Sequence, residues 1–367
     1  MEKRYKVVII GFAHMHINDV AAGFYENPRI DLVACADTHP LVEEISFGPY
    51  TRTWNLNFAK DHFGNPRVYG DYVEMLDTEK PDLAIITSEN FYHAEIVKAC
   101  AARGVGVCIE KPMAISYVDA KIIEEVTREA GVFAIVNWPI TWRPYLHQMK
   151  RLVDEGKIGR VIGLQYRAGH TGPLGPGAKH RGVTETADDM TPEAKGRTWW
   201  HQAKCGGGAM LDLCCYGCLF SQWFIGGRAK EVTAMKSNLT SPWGDVEDNA
   251  TLIARFDGAI CNIEGTWTTP QPLAQAGPIV YGEYGALTCR KTPEGVVVRY
   301  TSPYGEEEEF PIEPFADGMH DVAEAFVNAM DTGIPPHETL TLPMNLAAME
   351  ILDAGIRSAA SGKVEAL

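Results

Sequence analysis

Three side chains in this 367-residue sequence have the types and spacing for proton transfer at a bound substrate. Lys111 lies in Glu110-Lys111-Pro112, closing the apolar run VGVCIEKP. If that run is a strand of a parallel sheet, the lysine stands at its carboxyl edge, where doubly wound folds bind their ligands. A solvated ion pair with a neighbour is the plainer alternative. Asp212 and Tyr216 lie four apart in GGGAMLDLCCYGC. Four residues is one helical turn, so the two share a face and suit a proton-transfer pair projecting into a cleft. An aspartate in a first turn with a tyrosine in the core would give the same spacing.

The run YKVVIIG ends in Gly11-Phe12-Ala13-His14-Met15-His16, where a dinucleotide-binding fold places G-x-G-x-x-G under a pyrophosphate. Only the first glycine is kept. Ala13 still permits close backbone approach, whereas His16 replaces the glycine that lets helix and strand pack tightly. Twenty-six residues after Gly11, Asp37 ends the next apolar run. A carboxylate there accepts hydrogen bonds from ribose hydroxyls and repels a 2′-phosphate, favouring NAD over NADP. His14 and His16 form an H-x-H pair that could chelate an ion. With no carboxylate or cysteine beside them in sequence, a plain strand-to-helix turn is preferred and no metal is expected. Cys215 and Cys218 form a CxxC, with Cys205 and Cys214 close by, but they alternate with Leu213, Leu219, Phe220, Trp223 and Phe224 as in a buried helix. They read as small core residues rather than zinc ligands or a disulfide.

The elements that must position these groups follow from periodicity. Apolar runs at 5–11, 30–37, 82–87, 105–112 and 132–137 lack polar alternation, as strands covered on both faces do. Helical patterns at 17–26, 93–103, 118–129 and 144–155 intervene or follow. This is a doubly wound parallel sheet. The stretch 38–67 exceeds a usual connection and holds an insertion of no assigned role. After residue 156 the pattern changes to runs at 161–169, 231–239, 249–256, 259–267, 278–283, 286–291 and 296–301, which suit a mainly antiparallel sheet, with helices at about 317–332 and 342–361. The expected division is 1–138 and 139–367. The chain carries 33 basic and 48 acidic side chains, a net charge of −15, which disfavours nucleic acid and anionic lipid. Its first apolar run is too short for a signal peptide, and nine cysteines within apolar stretches suit a reducing compartment, so a cytoplasmic protein is expected.

In order and spacing, these pieces resemble the glucose-fructose oxidoreductase / inositol dehydrogenase family, written Gfo/Idh/MocA. The marks are the glycine turn, the acidic end of the second strand, Asn90 and His93 in SENFYHAEIVKAC, then EKP, then GGG-x-x-x-D-x-x-x-Y, then VEDNATLIARFDGAICNIEGTW. The resemblance covers nearly the whole chain. It implies an N-terminal Rossmann domain and a C-terminal α/β domain with an open antiparallel sheet that commonly mediates oligomerisation. It places a nicotinamide cofactor against Gly11, Phe12, Ala13, His14, Met15, His16, Asp37, Ser88, Asn90, His93, Glu110 and Lys111. Lys111 would lie between nicotinamide and substrate, with Asp212 and Tyr216 at the reacting carbinol. Many relatives have histidine where this chain has Tyr216, and some have tyrosine.

Hydride transfer from an alcohol needs a base for the hydroxyl proton. A free tyrosine, with a pKa of about 10, needs a neighbouring ammonium to serve. The expected roles are Tyr216 as acid/base, Lys111 as its electrostatic partner and Asp212 as the orienting group; Lys111 as base is the reverse assignment. Trp138, Arg143, His170, His180 and Trp200 are expected to line a substrate site, since aromatic faces with polar groups suit a pyranose ring. The expected activity is NAD-dependent oxidation of a secondary hydroxyl of a sugar, polyol or glycoside, with C3 of a glucosyl unit ranked first. The cofactor could be tightly held and recycled. An NADP-dependent dihydrodiol-type dehydrogenase and a non-catalytic NAD-binding sensor are the alternatives.

Overall fold

In the computed structural model, which describes residues 3–175, 183–270, 273–316 and 318–367, the unalternating apolar runs pair side by side as parallel strands. Strands β1 (Tyr5–Ile10), β2 (Ile30–Ala36), β3 (Arg67–Tyr69), β4 (Leu83–Ile86), β5 (Gly106–Glu110) and β6 (Ala134–Asn137) form a sheet of order β3-β2-β1-β4-β5-β6. Each neighbouring pair is parallel. Helices α1 (Ile17–Glu26), α2 (Arg52–His62), α3 (Tyr72–Glu79), α4 (His93–Ala101) and α5 (Tyr117–Ala130) connect them. The chain order reverses between β1 and β4, and Gly11 closes β1 there with φ of 88°. A Cβ on Gly11 would lie 2.5 Å from the Ser88 backbone, so this turn admits only glycine. The long stretch after β2 holds an irregular segment and then α2, which packs against α1.

The expected division at 138/139 falls between β6 and α6 (Pro144–Asp154). Beyond α6 come β7 (Val161–Gly169), the short α7 (Pro192–Gly196), α8 (Cys215–Ile225), β8 (Glu231–Ser237), β9 (Asn249–Phe256), β10 (Ala259–Thr266), β11 (Ile279–Gly282), β12 (Gly285–Thr292), β13 (Gly295–Thr301) and β14 (Glu307–Phe310). Helices α9 (Val322–Thr332) and α10 (Leu342–Ser361) and a final strand β15 (Glu365–Ala366) complete the chain. The second sheet runs β14-β13-β12-β11-β7-β10-β9-β8-β15. Its pairs are antiparallel except β7 with β10. Along β9 and β10 buried and exposed residues alternate, so one face packs on the core and the other faces outward. The apolar α8 is buried under the inner face. Helix α10 touches α5 and β6 of the first half and α8 and β8 of the second, joining the two cores.

Candidate active site

Lys111 follows β5, and its ammonium meets the Asp212 carboxylate at 2.6 Å and the Asp212 carbonyl oxygen at 3.1 Å. The lysine is 2% exposed. Asp212 lies on a single π-helical turn, Met210–Cys214, that runs directly into α8. Such a turn carries one residue more than an α-turn and is frequent at functional sites. The preceding glycines let three segments converge there, since a Cβ on Gly207 would stand 2.2 Å from the Trp200 carbonyl oxygen. The other Asp212 oxygen accepts from the Trp267 indole at 3.0 Å and lies 3.6 Å from His170 Nε2.

The charges are strongly coupled. Burial pulls the Lys111 pKa down, but Asp212 together with Tyr216, Cys215 and Glu110 outweighs it, leaving the ammonium well above its ordinary value. Burial pushes the Asp212 carboxyl up, and Lys111 with His170 holds it well below its ordinary value instead. Tyr216 differs from the expectation. The Lys111 ammonium lies 5.1 Å from the centre of its ring rather than on its hydroxyl. Burial raises the phenol further than Lys111 lowers it, so Tyr216 is held neutral as a proton donor. The poised phenolate expected from the pairing of Lys111 with Tyr216 is not what this geometry produces.

Lys111, Asp212 and Tyr216 line a cavity of about 370 Å³, together with Met15, His16, Arg143, His170 and Trp200. That volume lies in the range of small-ligand sites, roughly 300–1,000 Å³. Arg143 donates to the Tyr145 hydroxyl at 3.0 Å, on the same wall. Trp138 does not reach the cavity: its indole donates to Asn345 on α10 at 2.6 Å, and its ring meets the Tyr216 ring edge-on from behind. It supports the tyrosine rather than a substrate. His180 lies outside the described residues.

The expected cofactor residues separate into two groups. Met15, His16 and Lys111 open onto the cavity. Phe12, Ala13 and His14 are buried beneath a cover, at 0–1% exposure. The Trp199 indole donates to the Ala13 carbonyl at 2.7 Å, and the rings of Trp199 and Trp200 lie 5.5 and 4.5 Å from His14. Tyr50, from the insertion, joins this apolar cluster, and its hydroxyl donates to the Glu185 carbonyl at 3.0 Å. Asn55 holds the Phe12 carbonyl at 2.9 Å. Ser88 is buried with its hydroxyl on a carbonyl, and Asn90 ties the end of β4 to Gly206 at 2.8 Å. His93 is a core histidine, brought down to about 4 by burial and bonded to the Met113 carbonyl. All three are buried.

Asp37 ends β2 with its side chain 23% exposed, one oxygen taking the Phe12 and Thr38 backbone N–H groups. Arg52 lies 3.5 Å from its other oxygen but is committed to Glu89 at 2.7 Å and the Thr38 carbonyl at 2.5 Å. Neither Arg52 nor Glu89 was legible in the sequence. They lie 37 positions apart and carry no local signal. Asp37 at one end and the Met15-His16-Lys111 wall at the other fit the two ends of a dinucleotide. Trp199 and Trp200 pack over the turn between them. All nine cysteines are free and eight are buried, as expected of core residues.

Residues 5–138 match the family described as oxidoreductase family, NAD-binding Rossmann fold, and residues 146–288 match the GFO/IDH/MocA C-terminal domain. A D-xylose 1-dehydrogenase (NADP(+)) from Haloferax volcanii is 24% identical over 82% of this chain and 85% of that protein. A scyllo-inositol 2-dehydrogenase (NAD(+)) from Bacillus subtilis is 25% identical over 54% of this chain, and the match spans 53% of that protein. The crystal structure of an aldose-aldose oxidoreductase from Caulobacter crescentus, complexed with glycerol, superposes over the full length of both chains with a TM-score of 0.75 at 18% identity, a likeness of fold.

Proposed function

The chain belongs to the GFO/IDH/MocA oxidoreductase family, and from that premise we propose that it is an NAD-dependent dehydrogenase acting on a secondary hydroxyl of a sugar, polyol or glycoside. The observation that carries the reading is the buried Lys111–Asp212 pair at 2.6 Å, facing a sugar-sized cavity beside Tyr216. Relatives named for D-xylose and scyllo-inositol support the substrate class. The finer assignment, C3 of a glucosyl unit, rests on the resemblance set out above. Arg52, the cation beside Asp37, is already held by Glu89 and Thr38, which supports NAD over NADP.

A nicotinamide dinucleotide held between Asp37 and the wall of Met15, His16 and Lys111 would supply the hydride acceptor for the carbinol carbon. The protein's own part is the oxygen and its proton. Lys111 donates toward the substrate oxygen and stabilises negative charge there, a contribution that grows in a dry cavity. Asp212 fixes the ammonium and carries the compensating charge. Tyr216 holds a second proton beside it. The resting site therefore offers two donors and an ion-paired carboxylate. It protonates a ketone oxygen directly, and accepts a proton from an alcohol only after a donor has lost its own. Oxidation is accordingly expected to accelerate with rising pH, and reduction of the matching ketone to run at neutral pH.

Steady-state kinetics on Lys111→Ala and Tyr216→Phe test these roles. Each is expected to lower kcat by roughly 10²-fold or more, the usual weight of acid–base assistance. Unchanged kcat in both would refute the mechanism. We further propose a homo-oligomer, supported by the outward face of the second sheet, where Ile253 and Ile260 on β9 and β10 and Met235 on β8 are exposed, and a cytoplasmic location, supported by the nine free cysteines.

A further inference from the structure

The His14–His16 pair has no third ligand nearby in sequence, but the fold supplies one. The end of β5 brings Glu110 against the start of α1, with His16 Nδ1 2.8 Å from Glu110 Oε1. Ligand atoms of His14, His16 and Glu110 all lie within 4.8 Å of one another. We propose that these three side chains bind a divalent transition-metal ion, of the zinc or manganese class, in the wall of the substrate cavity, leaving a coordination position for a substrate oxygen.

Two imidazoles and one carboxylate are a donor set that holds such ions while keeping positions open for a reacting oxygen. Bonds of about 2.0–2.2 Å would bring the ligand atoms to roughly 3.5 Å apart, so side-chain rotations of about an ångström close the site. The surroundings fix the ligands from behind, as outer partners of metal sites do. Asn137 donates to the second Glu110 oxygen at 3.0 Å, and the two tryptophans hold the His14 ring. His14 and Glu110 are buried, whereas His16 lines the cavity.

Charge argues in the same direction. A carboxylate buried as deeply as Glu110 needs a cation. Its neighbour Lys111 is committed to Asp212 at 2.6 Å. An ion held by both histidines and the carboxylate would supply that charge. An ion would take the place of the present His16–Glu110 contact. A hydroxyl bound to such an ion ionises more readily. That is a function Lys111 and Tyr216, with protons in place, do not supply.

The test uses untagged full-length protein, stripped with EDTA and titrated with Co²⁺ and then Zn²⁺, read by cobalt d–d absorption and by thermal melting. The expected result is one equivalent bound, visible bands that Zn²⁺ displaces, and a raised Tm. His16→Gln, at the partly exposed position, is expected to keep the fold and weaken binding at least tenfold, and His14→Asn with His16→Asn to abolish it. No bands and no Tm change at millimolar Co²⁺ would overturn the proposal. So would binding that persists undiminished in the double variant, which would put the ion elsewhere. These readouts involve no dinucleotide and no turnover, so failure of the dehydrogenase reading leaves them unmoved.

Discussion

Lys111 and Asp212 are each tolerable in the interior only because of the other. Removing one partner of a buried pair leaves a charge without compensation, at a cost of about 3–5 kcal/mol. Asp212→Ala is therefore expected to lower the melting temperature sharply, and Lys111→Met combined with Asp212→Leu to recover most of that loss while remaining inactive. Differential scanning calorimetry of the three proteins decides it; a double variant no more stable than Asp212→Ala would contradict the reading. The pair also sets a pH window. Asp212 has a lowered pKa, so its stabilisation is present above the unfolded value of about 3.9 and fades as pH falls toward the folded one. Lys111 has a raised pKa, so its stabilisation is present below about 10.4 and fades as pH climbs beyond. Melting temperatures recorded across pH should show the wild type's advantage over the double variant shrinking at both ends. Lys111, Asp212 and Tyr216 were legible as candidates from type and spacing alone. Their charge states were not, because these depend on burial and on Trp267 and His170, which reach Asp212 from distant parts of the chain.

Among the elements, the parallel strands were readable because covering on both faces removes polar alternation from the sequence. The strands of the second sheet were readable for the opposite reason, since β9 and most of β10 alternate. The three short strands β3, β14 and β15 were not foreseen: β3 is only three residues and largely exposed, and EEEF is acidic and exposed, and pairs through Arg290 and Arg299. The cover over the glycine turn also escaped the sequence. Tyr50, Trp199 and Ala13 meet only in three dimensions, and the altered turn alone did not reveal what packs on it. If a dinucleotide reaches this turn by lifting the tryptophans, NAD binding will change the intrinsic tryptophan fluorescence, and Trp199→Ala will bind NAD more tightly by removing a competitor for the site. Equal affinity in wild type and variant would show that the cover does not oppose binding. Gly207 belongs to the same junction. Its replacement by alanine sets a Cβ against two carbonyl groups and is expected to cost more than about 2 kcal/mol, measurable by urea unfolding.

Across the whole molecule, α10 and the inner face of the second sheet bury a continuous apolar core, while the sheet's outer face keeps Met235, Ile253 and Ile260 in solvent. The segment Ala203–Ile225 is long and apolar enough to span a bilayer, yet 89% of its most apolar 18-residue stretch is buried within the protein, where it forms the support of Asp212 and Tyr216. If the exposed face joins copies of the chain, Ile253→Arg with Ile260→Arg should reduce the molar mass seen by light scattering to that of one chain without lowering Tm. An unchanged mass would place the interface elsewhere. The most direct test of the function is to denature purified protein, identify any released nucleotide by mass, and follow the 340 nm absorbance of native protein with added NAD and a panel of sugars, polyols and glycosides. Bound or acquired NAD, with absorbance rising for one substrate class and faster at higher pH, is the result expected. Absence of nucleotide, with no calorimetric binding of NAD or NADP and no spectral change with any substrate, would contradict the dehydrogenase assignment.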